Sequence, residues 1–417
     1  MRKTSRVLIV GGGVIGICSA YYLARSNWDV IVADMGGICS GCSYGNAGFI
    51  LPSHAIPLAA PGVLGKGLRW LLDRESPFYI KPRPDLDLLF WLLRFASSCK
   101  WEKVRRAIPI IHGLHLASMA LYEELVSVEG LRFGFKKDGM LMLFRTEDGY
   151  EEGIREARLL EEYGIRSRVL DSGEVREMEP SILPSVAGGV FYPDDACLNP
   201  ADFVMELAGR ARDLGARIVP DLKILGFYGS MGRISRVKTS RGDLDVDYVV
   251  LAAGAWSGVI GKRLSLKLPI QPAKGYSITG VCEGFRPNIP MLLKEDRVAV
   301  TPLGERVRFS GTLELCGFDL SIDRIRLNAV LKSARRYIGG LGGVDTAELW
   351  AGLRPCTPDG LPIIGRASKW ENLVIATGHS TIGQALGPIT GKLISQILGG
   401  EKPELDISPF SPERFSG

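Results

Sequence analysis

A glycine motif between a short apolar run and a helical segment constrains this chain most. Residues 6–11 read RVLIVG, an apolar and β-branched composition typical of a strand buried on both faces of a parallel sheet. Gly11, Gly13 and Gly16 fit the pattern G-x-G-x-x-G at the start of the helical segment, and Asp34 ends a second apolar run. Together these features predict a βαβ unit that binds a dinucleotide.

Each residue of the motif has a physical reason in such a unit. Gly11 permits the sharp turn, Gly13 lets the backbone approach a pyrophosphate, and Gly16 lets the helix pack on the strand. The helix N-terminus offers free N–H groups and partial positive charge to the phosphates. Asp34 is placed to accept hydrogen bonds from a ribose diol, which disfavours NADP. The predicted cofactor contacts at this end are Gly11, Gly13, Val14, Ile15, Gly16 and Asp34.

The motif alone leaves FAD and NAD open, and three further features favour FAD. The dinucleotide fold starts near the N-terminus and is completed near the C-terminus. No second G-x-G-x-x-G is present to bind NAD(P)H beside a flavin. Residues 43–48, SYGNAG, place small side chains just after Asp34, where a flavin and its pyrophosphate pass close to the backbone. The contacts predicted from this loop and from a later strand end are Ser43, Asn46, Ala47, Gly48, Ala253 and Gly254.

Composition places the chain among ordinary globular proteins. It has 417 residues, of which 46% are hydrophobic and 23% charged, so it is neither disordered nor a small disulfide scaffold. Its 51 glycines indicate many tight turns and close backbone approaches to a large ligand. The net charge of +5 comes from basic residues spread along the chain, which argues against a nucleic-acid surface.

Several features favour a cytoplasmic location. The N-terminal segment lacks a signal-peptide pattern, and no apolar run reaches the roughly 18 residues of a membrane span. The best candidate, residues 86–95, favours a core helix, with contact to a membrane surface as the alternative. The eight cysteines are scattered, and the pair Cys39 and Cys42 has no second pair to complete a zinc site, so no metal is expected. Scarce glutamine is typical of a thermophilic source.

The order of segments predicts the fold class and its division into domains. We expect an α/β protein, α+β overall, with a Rossmann-like FAD-binding domain built from the discontinuous segments 1–56, 199–262 and 346–417. A substrate-binding domain of mixed sheet and helices, at 57–198 and 263–345, is inserted between them. Two local expectations are a strand over residues 133–135 and a last helix over about residues 383–398.

Six short segments add to the opening motif, and those with the arginine and with the final glycines are much more specific than it. They combine glycines, an arginine between leucine and proline, and a histidine after threonine and glycine. They read NAG at 46–48, AAPG at 59–62, KGYS at 274–277, WAGLRP at 350–355, TPDG at 357–360, and TGH at 377–379 followed by Gly383.

On these segments, which span nearly the whole chain, the sequence resembles the superfamily of D-amino-acid oxidase, glycine oxidase and sarcosine oxidase. It is most similar to the bacterial D-amino-acid dehydrogenases. The resemblance implies FAD and the oxidative deamination of an amino acid, with hydride passing from Cα to flavin N5 to give an imine. Those dehydrogenases usually carry an aromatic residue where this chain has His54, so relatives that act on proline or hydroxyproline remain open.

The resemblance also implies roles for particular side chains. Arg354 is expected to hold the substrate carboxylate bidentately, with a structural ion pair to Asp359 as the alternative. The N-terminus of the last helix, at 378–383, is expected to stabilise negative charge at flavin N1 and O2. The expected catalytic residues are Arg354, Tyr276, His379 and His54, and the further cofactor contacts are Gly352, Gly378, His379, Thr381, Ile382 and Gly383.

Three functions stay open beside a D-amino-acid dehydrogenase that passes electrons to a quinone or an artificial dye. They are a dehydrogenase of proline or hydroxyproline, an oxidase that uses oxygen, and a flavin-carrying subunit of a hetero-oligomeric dehydrogenase. FAD is expected to be bound without a covalent link. The expected partners are an amino-acid substrate, the electron acceptor, further subunits in a homo- or hetero-oligomer, and the inner face of the membrane as a peripheral contact.

Overall fold

The computed structural model describes residues 5–70, 73 and 75–415, without the side chains at 66, 68, 69, 346 and 347. The first four residues of the segment without a signal pattern, and residues 71, 72 and 74 of the inserted segment, lie outside this part. The helices are α1 Val14–Arg25, α2 Val63–Trp70, α3 Leu86–Ser98, α4 Trp101–Ser127, α5 Glu147–Glu161, α6 Ser172–Met178, α7 Pro200–Asp213, α8 Ser257–Arg263, α9 Arg324–Ala334 and α10 Gly387–Gly399.

The strands belong to two large sheets and two small ones. They are β1 Arg6–Val10, β2 Asp29–Ala33, β3 Phe49–Ile50, β4 Phe78–Ile80, β5 Met140–Phe144, β6 Arg168–Asp171, β7 Gly188–Tyr192, β8 Ala196–Cys197, β9 Arg217–Val219, β10 Ile224–Ser230, β11 Arg233–Thr239, β12 Gly242–Asp245, β13 Tyr248–Leu251, β14 Gln271–Cys282, β15 Met291–Leu293, β16 Val298–Leu303, β17 Arg306–Leu315, β18 Val344–Cys356, β19 Ile363–Ala367 and β20 Trp370–Thr377.

A six-stranded sheet confirms the Rossmann-like part of the prediction. Its strand order is β19-β20-β13-β1-β2-β9, and every neighbouring pair is parallel except β19 with β20. Val7 of β1 pairs with Val30 on one side and with Tyr248 on the other, so distant parts of the chain meet in this sheet. The helix α1 packs against α7 and α10. The small sheet β10-β11-β12 packs on the opposite face through Ile234 and Val237.

A larger mixed sheet builds most of the inserted part. Its strand order is β18-β14-β17-β16-β15-β5-β7-β6, and β4 pairs along β17. One face, which we call the outer face, packs on α6 and α9 through residues such as Val175 and Val330. The other, the site face, turns toward α4, α5 and the six-stranded sheet through residues such as Met140 and Met142. The strand β18 pairs along its length with β14, so this sheet continues beyond residue 346.

The last helix begins later than the sequence pattern predicted. The helix α10 starts at Gly387, and residues 378–386 form turns and irregular backbone. Pro388 explains the difference, because proline is tolerated in the first helical turn but clashes with the carbonyl four residues earlier in a helix interior. A start near 383 would place Pro388 in that interior, so the prediction of a helix N-terminus at 378–383 is wrong.

The strand predicted at 133–135 is not formed. Phe133 and Phe135 instead join an aromatic cluster with Tyr122 and Phe203, in which the Phe133 and Phe203 ring centroids are 4.9 Å apart. Alternating aromatic residues fit a strand and a buried loop equally well, and packing on α4 and α7 decides here. No helix within the described residues combines the length and apolarity needed to cross a bilayer.

Candidate active site

The glycine motif lies at the carboxyl edge of the parallel strands. Gly11 follows β1 with a φ of +117°, and a Cβ there would lie 2.4 Å from the carbonyl oxygen of Ala252. A Cβ at Gly16 would lie 1.8 Å from the carbonyl oxygen of Gly11, so only glycine lets α1 approach β1 this closely. Ala253 and Gly254 follow β13 at the same edge. Ligands of open α/β sheets bind in this crevice.

The N-terminus of α1 has donors to offer a pyrophosphate. Its first residues, Val14 and Ile15, are buried, and the N-cap residue Gly13 has no side chain to cap them. The hydroxyl of Ser43 accepts a hydrogen bond from the Val14 N–H at 2.9 Å. Because a helix N-terminus attracts anions, Ser43 stands at the phosphate end of the crevice.

Asp34 follows β2 with both carboxylate oxygens engaged. Its Oδ2 accepts from the Gly12 N–H at 2.7 Å, and its Oδ1 accepts from the Gly36 N–H at 2.9 Å. These bonds hold the carboxylate against the glycine turn. Each oxygen keeps a further lone pair, so the carboxylate can still accept from a ribose hydroxyl.

The loop between β2 and β3 is held over the larger sheet by two side chains. Arg308, only 4% exposed, donates to the carbonyl oxygens of Tyr44 at 3.3 Å and Asn46 at 3.0 Å. The Thr301 hydroxyl donates to the carbonyl oxygen of Ala47 at 2.7 Å. Burial lowers the pKa of the Arg308 guanidinium, and the Glu348 carboxylate opposes this shift. A buried cation is costly unless its donors are used, so this arginine fixes the loop firmly.

Asn46 and Gly48 shape the end of the same loop. The Gly48 N–H donates to Oδ1 of Asn46 at 2.9 Å, and Nδ2 of Asn46 donates to the carbonyl oxygen of Ser43 at 3.0 Å. Gly48 has a φ of +70°, and a Cβ there would lie 2.1 Å from the carbonyl oxygen of Leu198. The loop therefore requires a glycine at this position.

The site face beneath this loop carries unpaired polar groups. Ser277 on β14 and Ser310 on β17 are register partners, both buried, and neither hydroxyl has a hydrogen-bond partner among the described residues. Gly45 and Gly352 both lie against the indole of Trp350, where added Cβ atoms would be 2.3 and 2.1 Å from the ring. The Trp350 indole therefore packs against both glycines, and the buried Ser277 and Ser310 hydroxyls lie on the same face.

Arg354 lies on the site face near the end of β18. Its guanidinium crosses Gly275, where a Cβ would lie 2.3 Å from Nη1, and Nη1 donates to the carbonyl oxygen of Thr312 at 2.8 Å. Thr312 has a φ of +69° and lies at an irregularity in the pairing of β14 with β17. A β-branched residue rarely adopts this conformation, so the strained backbone directs its carbonyl toward Arg354.

The alternative role for Arg354, an ion pair with Asp359, is not formed. The Asp359 carboxylate binds Arg414 instead, at 2.8 and 3.2 Å. Arg354 is half-buried. Burial raises the pKa of the Cys42 and Cys356 thiols, and the positive charge of Arg354 opposes both shifts. A guanidinium has five N–H donors, and the Thr312 carbonyl leaves most of them to a ligand.

The turn after β20 brings a buried histidine beside β18. His379 is 1% exposed, its Nε2 pairs with the Thr390 hydroxyl at 3.0 Å, and its Nδ1 has no partner in the described part of the chain. Burial lowers the pKa of His379 to about 3, so the ring is neutral near pH 7. Ser380, with a φ of +49°, donates its N–H to the Pro355 carbonyl, which ties the turn to β18.

The neighbours of His379 differ in their exposure. Gly378 has a φ of +74°, and a Cβ there would lie 2.6 Å from Cγ2 of Thr357, so glycine is required. Ile382 is buried, Gly383 is half-buried in the turn, and Thr381 is exposed. The segment thus presents backbone groups and the His379 ring rather than a row of polar side chains.

Tyr276 lies on the outer face of β14, away from Arg354. Side chains alternate along a strand, and Gly275 faces Arg354, so Tyr276 points to the opposite side, where it packs against α9. Its hydroxyl donates to Glu314 at 2.7 Å, and the buried Lys274 ammonium lies 3.5 Å from the same carboxylate. The structure therefore does not bring Tyr276 together with the other predicted catalytic residues.

His54 lies in the loop after β3, which is held by a buried carboxyl group. Ser53 donates its backbone N–H and its hydroxyl to Asp195. Burial lowers the pKa of His54 to about 4, the Lys294 ammonium lowers it further, and the Glu156 carboxylate opposes the shift. His54 is therefore neutral near pH 7 and faces a group of charged side chains.

These features fit FAD as the bound group. The N-terminus of α1 and Ser43 suit a pyrophosphate, and Asp34 suits a ribose. The site face suits a flat ring system, because the polar edges of such a ring would satisfy buried atoms that have no partner among the described residues. Those atoms are the hydroxyls of Ser277, Ser310 and Ser380 and Nδ1 of His379. No cluster of metal-ligating side chains is found among the described residues.

Sequence reasoning missed several residues of this site. Trp350 and Ser277 lie two positions from Gly352 and Gly275 on their strands, so alternation along the WAGLRP and KGYS segments would have found both. Arg308 belongs to no motif. Its role depends on the pairing of β14 with β17, which no local pattern predicts.

Buried histidines make the fold sensitive to acid. Burial lowers the pKa of His115 and of His379 to about 3, so between pH 6.5 and 3 the unfolded chain binds protons that the folded chain does not. Stability therefore falls as the pH falls below 6.5, by about 2 kcal/mol per histidine at pH 5. The contribution of Asp195 to the pH dependence of stability has the opposite sign. Burial raises its pKa to about 7, so the folded chain keeps a proton that the unfolded chain loses.

Two substitutions separate these opposing contributions. His115, whose two ring nitrogens have no partners among the described residues, is suited to His115→Leu. This variant should lose about 2 kcal/mol less stability than the parent protein between pH 7 and pH 5, measured by urea unfolding. Asp195→Asn should lose more stability than the parent protein over the same pH range. Parallel pH dependences in all three proteins would contradict the assignment.

A family model, a relative and a solved structure each match nearly the whole chain. A family model described as FAD dependent oxidoreductase (DAO) matches residues 6–397. A D-amino acid dehydrogenase of Rhizorhabdus wittichii is 34% identical over 416 residues, which cover 98% of this chain and 100% of that protein. The crystal structure of glycine oxidase from Geobacillus kaustophilus has a TM-score of 0.81 at 25% identity and covers 99% of this chain and 100% of that chain.

An L-proline dehydrogenase from P. horikoshii also shares the fold. Its crystal structure has a TM-score of 0.75 at 21% identity and covers 100% of this chain and 99% of that chain. Similarity at this level of identity shows the fold alone.

Proposed function

This chain belongs to the family of FAD-dependent oxidoreductases, and we propose that it oxidatively deaminates amino acids, with D-amino acids as its first substrates. The observation that carries the proposal is Arg354, a half-buried guanidinium on the site face that is held by the Thr312 carbonyl and has most of its donors left for a ligand. The choice of D-amino acids is supported by the relative in Rhizorhabdus wittichii, which is named a D-amino acid dehydrogenase and matches over its full length.

The residues of the site bind and orient the substrate. Arg354 holds the substrate carboxylate through two parallel hydrogen bonds, and the Thr312 carbonyl keeps the guanidinium in place. The neutral His379 ring adds no positive charge beside Pro355 and the end of β18. When bound, FAD supplies the acceptor for the two electrons of the substrate Cα–H bond. The loop held by Arg308 covers the site face and excludes water from it.

The cofactor assignment follows the same geometry. We assign FAD to the segments 1–56, 199–262 and 346–417 and the substrate to 57–198 and 263–345, with the boundary at 346 inside β18 of the larger sheet. FAD is held without a covalent link to the protein, so acid precipitation should release all of the flavin. The contacts are Gly11, Gly13, Val14, Ile15, Gly16, Asp34, Ser43, Asn46, Ala47, Gly48, Ala253, Gly254, Gly352, Gly378, His379, Thr381, Ile382 and Gly383.

Anaerobic reduction of the bound flavin tests the proposal. The purified protein is mixed with single D- and L-amino acids, proline and hydroxyproline included, and the absorbance of the oxidised flavin is followed. Bleaching by D-amino acids supports the proposal, and bleaching by proline or hydroxyproline alone moves the substrate to those imino acids. Failure of every amino acid would overturn the proposed reaction.

The electron acceptor is a membrane quinone, and the surface of α3 supports this part of the proposal. Leu86, Leu89, Phe90 and Leu93 form a stripe along this helix, each at least half exposed, which we call the α3 stripe. The helix was expected to be a core helix, and its other side is indeed buried through Leu88, Trp91 and Phe95. An exposed apolar patch of this kind marks an interaction surface.

The α3 stripe lies on the far side of a helix that packs beside the site. The Trp91 indole N–H donates to the carbonyl oxygen of Cys356, at the end of the strand that carries Arg354. Lys100 and Lys103 are exposed just after the stripe and suit an anionic lipid surface. We assign the stripe to an anionic membrane, from which a quinone reaches the flavin.

Vesicle binding tests the α3 stripe. The double variant Leu89→Gln/Phe90→Gln should lower co-sedimentation with phosphatidylglycerol vesicles at least about tenfold, because two apolar side chains no longer enter the lipid. Met231→Gln, which changes a 98% exposed residue on another surface, is the control. Parent protein that stays in the supernatant, and forms an oligomer that the double variant breaks, would identify a subunit interface instead.

The oxidase and subunit alternatives are separated by two further measurements. Steady production of peroxide in air, at a rate matching that with a quinone analogue, would identify an oxidase. An isolated chain that binds flavin but turns over no substrate with any acceptor would identify a subunit of a larger assembly.

A further inference from the structure

The hairpin between β15 and β16 has an unusual distribution of charge. Its acidic residues, Glu295 and Asp296, are used in structural contacts. Glu295 accepts from the Thr146 N–H at 3.0 Å and from the Tyr337 hydroxyl at 2.7 Å, and Asp296 accepts from Arg336 at 3.0 Å. These bonds anchor the hairpin to the start of α5 and the end of α9.

The positive charges of the two basic residues of the hairpin, Lys294 and Arg297, both lower the pKa of His54. The Lys294 ammonium is paired with Glu156 at 2.7 Å. The Arg297 guanidinium has no hydrogen bond within the described part of the chain. Its charge meets the carboxylates of Glu156 and Glu152 only at longer range.

Arg297 lies in the turn that immediately precedes β16. The residue is exposed to solvent, yet protein surrounds it so closely that burial lowers the pKa of its guanidinium. Its φ is +55°, a conformation that favours glycine, so the hairpin carries this arginine at a cost. Backbone strain of this kind clusters at ligand sites, and the group of Arg297, His54 and Lys294 is one candidate.

The backbone of Arg297 lies near Thr312, the residue whose carbonyl binds Arg354. Ala299 pairs with Ser310, and the carbonyl oxygen of Arg297 lies 3.5 Å from the position of a Cβ at Gly311, the residue before Thr312. The Thr312 carbonyl in turn accepts from Arg354. Arg297 directly precedes β16 and Arg354 lies on β18, and these strands are three strand spacings apart, about 14 Å. Arg354 is on the site face, and the charge of Arg297 interacts with Glu156 of α5, a helix that packs on the same face.

We infer that Arg297 forms the far end of the substrate pocket and selects amino acids whose side chain carries a carboxylate. This inference rests on the proposed function, because it takes Arg354 as the anchor of the substrate's α-carboxylate. Lys294 is neutralised by Glu156, and His54 is uncharged near pH 7. Arg297 is therefore the one cation of this group that has no close partner among the described residues, and the side chain of the substrate meets it. A guanidinium pairs with a carboxylate through two hydrogen bonds.

The test compares two substrates of nearly equal shape. D-Glutamate and D-glutamine differ in side-chain charge, and kcat/KM is measured for both with the parent protein, Arg297→Met and Arg297→Lys. The parent should prefer D-glutamate, and Arg297→Met should lower the ratio of the two values at least about tenfold. Arg297→Lys should keep part of the preference. All replacements keep a Cβ at the strained position, so backbone conformation is matched.

Controls separate this inference from the proposed function. Arg286→Met removes an exposed arginine paired with Glu305 and should leave the ratio unchanged. If D-glutamine or other neutral amino acids reduce the flavin but the parent shows no preference for D-glutamate, the inference about Arg297 is overturned and the proposed function stands. The same holds if Arg297→Met binds FAD normally and keeps the parent's ratio. If no amino acid reduces the flavin, the proposed function itself fails.

Discussion

Replacing Arg354 with leucine should lower kcat/KM for the preferred amino acid about 100-fold or more while FAD stays bound. Each hydrogen bond to a charged group contributes about 1.5–3 kcal/mol, and a bidentate carboxylate pair loses two of them. The loss should fall on substrate binding, because the guanidinium lies on the site face and its one partner in the described chain is the Thr312 carbonyl. Stopped-flow reduction of the flavin, at increasing substrate concentration, measures the dissociation constant directly.

Two further variants make this expectation specific. Gly275→Ala should weaken substrate binding without removing the arginine, because its Cβ would lie 2.3 Å from Nη1 of Arg354 and displace the guanidinium. Arg236→Leu removes an exposed arginine paired with Asp245 and should change neither flavin content nor kinetics. Unchanged kinetics in Arg354→Leu would show that the substrate carboxylate is bound elsewhere.

Gly16→Ala should produce a protein that retains little FAD and unfolds more easily. The added Cβ would lie 1.8 Å from the Gly11 carbonyl oxygen, which is backbone and cannot turn aside, so α1 must move away from β1. Overpacking of this kind typically costs about 1–3 kcal/mol and here also displaces the helix N-terminus that holds the pyrophosphate. The ratio of flavin to protein absorbance and the midpoint of thermal unfolding measure the two effects.

Gly41→Ala is the matched control for Gly16→Ala. Gly41 lies near the same cofactor loop, but a Cβ there would meet no atom within 4 Å. This variant should keep the flavin content and the unfolding midpoint of the parent. A Gly16→Ala protein with full flavin content would show that the close approach of α1 to β1 is not needed for cofactor binding.

Local patterns predicted the cofactor half of the fold well. The strand β1, the turn at Gly11 and the helix α1 follow one another directly in sequence, so their apolar composition and glycine spacing were sufficient. The discontinuous Rossmann-like sheet was also predicted, because its later strands β13 and β20 are short apolar runs that end in glycine-rich turns. The motif residue Asp34 lies at the end of β2, as the spacing indicated.

The rest of the site depends on contacts that are distant in sequence. The resemblance implies that Tyr276 is catalytic, but the adjacent Gly275 faces Arg354, and alternation turns the tyrosine to the outer face. The start of α10 was predicted too early, although Pro388 indicates a first helical turn near residue 387. Neither Arg308 nor Arg297 belongs to a sequence motif. The position of Arg308 follows from the pairing of β17 with its neighbouring strands, which no local pattern predicts.

The position of β1 in its sheet has a consequence for biosynthesis. Although β1 is among the first segments made, its neighbour β13 begins at Tyr248, and β20, which completes the parallel core, begins at Trp370. During synthesis on the ribosome, most of the chain must therefore be made before β1, the glycine turn and α1 can pack in the complete sheet. Such long-range pairing makes folding slow and leaves apolar strands exposed during synthesis, so production of this protein should depend strongly on chaperones and temperature.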